Sequence, residues 1–423
     1  MRAATTRVRR LPLVLRNPSF GRVWTGQLLT QAASRMFQVG TVWWLVGFAG
    51  GAHRGLDSGL FLVVSTVPAV ALAPVIARIV ARHAHRRVLA SAAAVAAAVA
   101  VTAAALACAG ALPMTAAYAV GLVLAGCQAV FDPCLTTSVP ELVEDADIES
   151  ATGFELSTQS VAGLCGGLLG PLVVDAGGPA GVTATCGGAY LLAALLIAST
   201  RFPRRGAGNG PVAEPRTLRS VLAGLPFIRR VLVCFAAANV FTTAVYVVMP
   251  LYTQEVLHAT GSTVASLETA LGAGTLLGSC TGGRLPGRPV AVGSVCLTVT
   301  AAALALPGLC AGHAAALASM AVTGWCVGVI GVRFVALFQR LVPADDKPGF
   351  FAVMQAVLGA TFPVSALVFG ALGDRLTAGT LCLAQGTGLV PVALALWWLG
   401  GRADTAGQHS PDAPTPVLTG ESS

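Results

Sequence analysis

"RFPRRGAGNGPVAEPRTLRS", residues 201–220, is the longest polar run between apolar segments in this chain. Its glycines, prolines and arginines give it the composition of a flexible basic linker rather than a packed element. In both directions from it, stretches of membrane-spanning length follow one another. A helix needs roughly 20 apolar residues to cross the hydrocarbon layer. By that measure six candidates precede the run, at 19–50, 58–81, 88–110, 113–139, 151–175 and 179–199. Six follow it, at 230–256, 262–283, 289–311, 314–341, 350–373 and 378–400. The first is long enough to include an interfacial lead-in, and "VLAGLPFIRR" (221–230) reads as a short interfacial helix. The expected organisation is an N-terminal six-helix bundle (1–199), a cytoplasmic linker (200–229), a C-terminal six-helix bundle (230–400) and a polar, disordered cytoplasmic tail (401–423).

Composition points the same way. Only 10% of the 423 residues are charged and 55% are hydrophobic, whereas a soluble protein carries about 25% charged residues. An all-α, multi-pass membrane protein is expected. The net charge of +8 would suit nucleic acid, but the basic residues are dispersed among short loops, the pattern of membrane orientation instead. With the N-terminus inside, 22 of the 26 Lys and Arg fall in cytoplasmic segments and two, Arg54 and Arg375, outside. Arg35 and Arg333 lie within helices. One missed helix would put the later loops on the wrong side, so the asymmetry supports twelve crossings of the inner (plasma) membrane with both termini cytoplasmic. Trp24, Trp43, Trp44, Trp397 and Trp398 fall near predicted helix ends, where indole rings favour the interface.

The 11 cysteines lie almost all in apolar runs, with no CxxC pair and no His/Cys cluster, and read as small buried hydrophobes. No metal, cofactor or catalytic set is expected: there is no paired-His motif, GxSxG or P-loop. Without a P-loop, energy for any transport would come from an ion gradient.

A charge at mid-membrane costs roughly 2.5–3.5 kcal/mol even on the lenient insertion scale. Five such residues occur: Arg35, Asp132, Glu155, Glu268 and Arg333. Several sit in polar stripes at helical spacing. Gln31, Arg35 and Gln38 share a face of helix one, and Gln128, Asp132 and Thr136 a face of helix four. Asn239, Thr242, Thr243 and Tyr246 form a stripe on helix seven, Glu155 and Gln159 lie one turn apart on helix five, and helix ten offers Trp325 and Arg333. Asp132, Glu155 and Glu268 are candidate proton carriers, because burial raises a carboxyl pKa and a nearby Arg lowers it. Static Arg–acid pairs would be the structural alternative. Arg35 needs a partner, such as Asp132, or meets an anionic substrate.

The turn between helices two and three, "ARIVARHAHRRVL" (77–89), concentrates Arg78, Arg82, Arg86 and Arg87. Helices four and ten end alike, in "TTSVPELVEDAD" (136–147) and "LFQRLVPADDK" (337–347), a faint parallel repeat six helices apart.

Twelve helices in two sixes with a long central loop resemble the major facilitator superfamily. "NPSFGRVWTGQLLTQAASRMFQVGTVWWLV" (17–46), "PLYTQEVLHATGSTVASLETALGAGTLLGS" (250–279) and "FQRLVPADDKPGFFAVMQAVLGATFPVSALVFGALGD" (338–374) look like its drug-efflux and siderophore-export branch. The resemblance implies a central cavity lined by helices one, four, seven and ten, the helices that carry most of the polar stripes. It implies a substrate cavity drawn from Gln31, Arg35, Gln38, Gln128, Asp132, Asn239, Thr242, Tyr246, Trp325 and Arg333. It also implies a cytoplasmic gate at Arg82, Arg86 and Arg87. The family's gate Gly and Asp fall here on Ala77 and Ala81, so another acid must pair with these arginines; Glu141, Glu144, Asp145 and Asp147 are available. Fixing topology and meeting lipid phosphates is the alternative for the arginines. In the exporters' helix-five pattern Gly166, Gly170 and Pro171 match, while Val174 and Asp175 replace the last glycines. The acid that often precedes the helix-one Arg is Ser34 here. The implied function is proton-driven efflux of a small amphipathic compound by a monomer in the lipid bilayer. An uptake symporter and a non-transporting scaffold or sensor are the alternatives.

Overall fold

The computed structural model describes residues 13–49, 53–143, 147–200, 202, 226–342 and 347–407, all helix, turn or irregular chain with no strand among them. Twelve crossings result. α1 (Pro18–Trp44) starts where Asn17 accepts from the backbone N–H of Ser19 and Phe20, both at 3.1 Å, with Pro18 pre-setting the first turn. It widens into a π-turn over Leu45–Ala49. α2 has two pieces, Arg54–Ala71 and Ala73–Arg82, with the break one turn after Pro68, which has no N–H to give the ladder. α3 (His85–Cys108) and α4 (Met114–Leu142) follow.

α5 (148–177) and α6 (179–198) run on as one stretch, Ile148–Ala198, turned at Gly178 with φ 60°. Only glycine enters that region without steric cost, so a single residue does the work of the expected loop. α7 is Pro226–Thr243 and Val245–Glu255; Pro226–Arg230 open it rather than forming a separate interfacial helix. α8 (Gly261–Gly282), α9 (Pro289–Leu309), α10 (His313–Leu341) and α11 (Lys347–Gly373) come next. α12 runs Ala378–Gly407, so helix replaces the start of the expected disordered tail. Linker residues 203–225 and tail residues 408–423 lie outside the described residues.

Among the described residues, eight helical stretches are long and apolar enough to cross a membrane on length and composition, with α5 and α6 counted as one. α1 and α8 are not among them, and these carry Arg35 and Glu268. Lipid tails give no hydrophobic drive for helix association, so close packing of small residues supplies it. Gly274, Gly278 and Gly282 of α8 face α10, whose Gly324 and Gly328 face back; a Cβ on Gly328 would lie 2.8 Å from the Ser279 nitrogen. Gly166 and Gly170 bring α5 onto α1, where a Cβ on either would meet backbone at 2.7 Å.

Trp397 and Trp398 are 66% and 52% exposed, as an aromatic belt requires. Trp43 is not part of that belt. It is buried, with its Nε1 donating to Asp175 at 2.8 Å.

α1–α6 and α7–α12 form two halves. α2 packs on α11 and α5 on α8 across their seam, with smaller contacts between α1 and α7. The arginine turn between α2 and α3 and the turn between α8 and α9 share one end of the molecule, here called the basic end.

Candidate functional site

Arg35 of α1 is the hub where the halves meet. Its Nη1 donates to Gln38 Oε1 at 2.8 Å and its Nη2 to Glu268 Oε2 of α8 at 3.1 Å. Its guanidinium carbon lies 4.5 Å from the centre of the Tyr246 ring on α7, within cation–π range. One side chain thus joins α1 of the first half to α7 and α8 of the second. Both members of the ion pair are mostly buried, at 21% and 15% side-chain exposure, so their attraction is far less screened than at a surface.

Glu268, not Asp132, is therefore the described ion-pair partner of Arg35. Asp132 is held instead by two amides, Gln31 Nε2 at 3.1 Å and Gln128 Nε2 at 2.6 Å, both on Oδ1. The α1 stripe works in two directions, Gln31 toward α4 and Arg35 toward α8.

The other expected cavity residues divide. Asn239 donates to Thr361 Oγ1 at 2.6 Å and to the Leu358 carbonyl at 3.2 Å, tying α7 to α11. Thr242 and Thr243 return their hydroxyls to α7's own backbone. Trp325 Nε1 donates to Thr281 of α8 at 3.0 Å, a contact within the second half. Nε and Nη2 of Arg333 are buried with no hydrogen-bond partner among the described residues. The side chain of Glu155 lies outside the described residues; Gln159 is exposed.

At the basic end, Arg86 donates to the Thr200 carbonyl at 3.3 Å, while Arg82 and Arg87 are exposed. Asp147 bonds Arg16, which takes it from the acids proposed for these arginines. The side chains of Glu141, Glu144 and Asp145 lie outside the described residues.

Three features were not anticipated. The wall between α7, α10 and α11, floored by α9, holds a cavity of about 190 Å³ among Phe235, Phe334, Phe338, Leu297 and Met354. Phe235 meets Phe334 edge-on with centroids 4.4 Å apart. Exposed Gly331 lines the cavity, and a Cβ there would meet nothing within 4 Å. The other two are Asp175 and Asp374, which bond backbone N–H groups of the opposite half at the end away from the basic loops. Their signal in the sequence was an acid at the C-terminal end of a helix, where the macrodipole disfavours it unless a partner lies elsewhere.

Two six-helix bundles that meet at the Arg35–Glu268–Tyr246 cluster have the architecture of a multi-pass membrane transporter. The sequence matches the family model described as the Major Facilitator Superfamily over residues 23–354, and the chain belongs to that superfamily. No curated protein matches it. Among solved structures, it is similar to the POT family transporter PepTSo, with TM-score 0.70 at 8% identity over 95% of this chain and 99% of that one. It is similar to a bacterial homolog of the human lysosomal transporter Spinster in its inward-facing, occupied conformation, with TM-score 0.68 at 14% identity over 94% and 98%. It is also similar to the nucleoside transporter NupG, with TM-score 0.65 at 11% identity over 89% and 99%. At these identities the likeness concerns the fold.

Proposed function

We propose that the chain is a proton-driven exporter of a small amphipathic compound, working by alternating access as a monomer in the inner (plasma) membrane with both termini cytoplasmic. The observation that carries this is the Arg35–Glu268 pair across the two halves, with Tyr246 on the guanidinium. A buried pair that loses one charge leaves the other uncompensated, at a cost of about 3–5 kcal/mol when burial is complete. A proton on Glu268 would neutralise one member and leave Arg35 seeking an anion, so protonation would be felt by both halves at once. Asp132, held between α1 and α4, is a second proton site. Arg35, Gln38 and Tyr246 would then meet the polar part of the cargo.

The Phe235–Phe334–Phe338 cavity suits its apolar part. At about 190 Å³ it exceeds the roughly 150 Å³ that holds a benzene, and Thr242 and Thr300 spend their hydroxyls on their own helices. The basic asymmetry of the loops supports the cytoplasmic placement of the basic end. Uptake by a symporter on the same fold is the other reading, because the Arg35–Glu268 pair would couple a proton to cargo moving in either direction.

A panel of toxic amphipathic compounds tested on cells with and without the protein separates the two. Raised tolerance to at least one compound, lost in Glu268→Gln, is the expected result. Raised sensitivity, or growth on one nutrient that depends on the protein, would replace export by uptake.

A further inference from the structure

Two carboxylates at the end opposite the basic loops do the same work in related positions. Asp175, at the end of α5, accepts from the backbone N–H of Gly261, the first residue of α8, at 2.5 Å. Its other oxygen accepts from Trp43 Nε1 of α1 at 2.8 Å. Asp374, just after α11, accepts from Gly55 N–H at 2.8 Å and Leu56 N–H at 3.3 Å, in the first turn of α2, with His53 Nδ1 at 3.5 Å. α5 and α11 hold the same place in their respective halves, and so do α8 and α2. The first half caps a helix of the second, and the second caps the matching helix of the first.

The two capped helices provide no side-chain cap of their own. His53 before α2 and Thr260 before α8 make no capping hydrogen bond. An α-helix starts with four N–H groups that have no partner within the helix, and a carboxylate there satisfies donors and meets the positive end of the macrodipole. At its own address each acid is unfavourable, because it sits at a helix C-terminus. The favourable partner is reached only while the halves are together at this end. Close backbones hold the acids in range: a Cβ on Gly55 would lie 2.5 Å from the Gly370 carbonyl oxygen, and one on Gly261 2.6 Å from that of Pro171.

We propose that Asp175 and Asp374 are positioning residues of the transport cycle, a reciprocal pair of caps that hold this end shut and set how often it opens. Opening undoes both caps together and returns the N–H groups to water. A cap is worth enough to bias an equilibrium by about 2- to 30-fold, a scale that leaves the gate able to open. The proposal rests on alternating access, and the experiment separates the two.

The intact protein in nanodiscs carries spin labels on noncanonical residues, so that the native cysteines stay. One pair, at Ala111 and Ala311, spans the capped end; a second, at Ala84 and Pro286, spans the basic end. Distance distributions are recorded for the parent and for Asp175→Ala, Asp374→Ala, both together, and Asp175→Asn and Asp374→Asn. Each Ala variant is expected to raise the population open at the capped end by about 2- to 30-fold, with a matching fall in the population open at the basic end. The double variant multiplies the two effects, and the Asn variants, which keep an acceptor, recover most of the closed state. A reciprocal change at the two ends reports rocking; broadening at both ends would report unfolding and overturn the claim that the caps act on the gate alone. Unchanged distributions in both Ala variants, where acid or cargo does move the parent, would overturn the caps. A parent that never changes distance at either end under any condition would overturn alternating access itself.

Discussion

At the scale of single residues, the account turns on a cation that cannot be left alone in a membrane. Arg35 is satisfied by Gln38, Glu268 and the Tyr246 ring. Glu268→Gln keeps the volume and an acceptor but removes the charge that balances the guanidinium. It is expected to lower stability by up to about 3 kcal/mol, read as a lower melting temperature, and to flatten the pH dependence of transport. Exchanging the pair, Arg35→Glu with Glu268→Arg, should restore part of the stability, whereas either change alone should not. Arg35→Lys keeps the charge but loses the planar fork and the stacking on Tyr246, so transport should fall by about 10-fold while the protein still folds. Asp132→Asn tests the second proton site in proton-driven efflux from vesicles: coupling is expected to weaken, and unchanged coupling would remove Asp132 from the mechanism. The charged residues themselves were legible, because each interrupts an apolar run. Their partners were not. Arg35 and Glu268 stand 233 positions apart, and helical spacing within one segment says nothing about which segment will face it.

At the scale of elements, hydropathy marked the membrane rather than the helix. The apolar run of α12 ends near Gly400, yet the helix continues to Gly407, because an α-helix closes its backbone hydrogen bonds within itself. The separation of α5 from α6 was legible in the break between the candidate spans 151–175 and 179–199, but the compactness of that turn came from one backbone angle at Gly178. The cavity between α7, α10 and α11 was hidden, since its phenylalanines look like ordinary core positions until three helices leave a gap among them. Gly331 gives a direct test. A Cβ there meets nothing within 4 Å, and Gly331 lines the cavity that a ring would fill, so Gly331→Phe should leave the melting temperature within about 1–2 °C while cutting transport of ring-bearing cargo by about 10-fold or more. The contrasting change is Gly278→Val. Its Cβ would press on the Trp325 backbone, so it should destabilise the α8–α10 contact and cost expression whatever the cargo.

At the scale of the whole molecule, the two six-helix halves were legible in the linker-like run at 201–220 and in the six apolar candidates on either side of it. Which end stands closed was not, because that depends on contacts between halves, each worth a few kcal/mol at most, rather than on the pattern within any helix. The contacts through Asp175, Asp374 and the α2–α11 glycines hold the end away from the basic loops together. A proton arriving at the Arg35–Glu268 pair would then loosen the middle of the same seam. The central claim is that this seam converts a proton gradient into export. It is tested most directly in inverted vesicles, by following the uptake of a compound that the expressed protein protects cells against while an acid-inside gradient is imposed. The account predicts accumulation in the lumen that collapses with a protonophore and is lost in Glu268→Gln. Accumulation that survives the protonophore, or that proceeds equally well in Glu268→Gln, would contradict it.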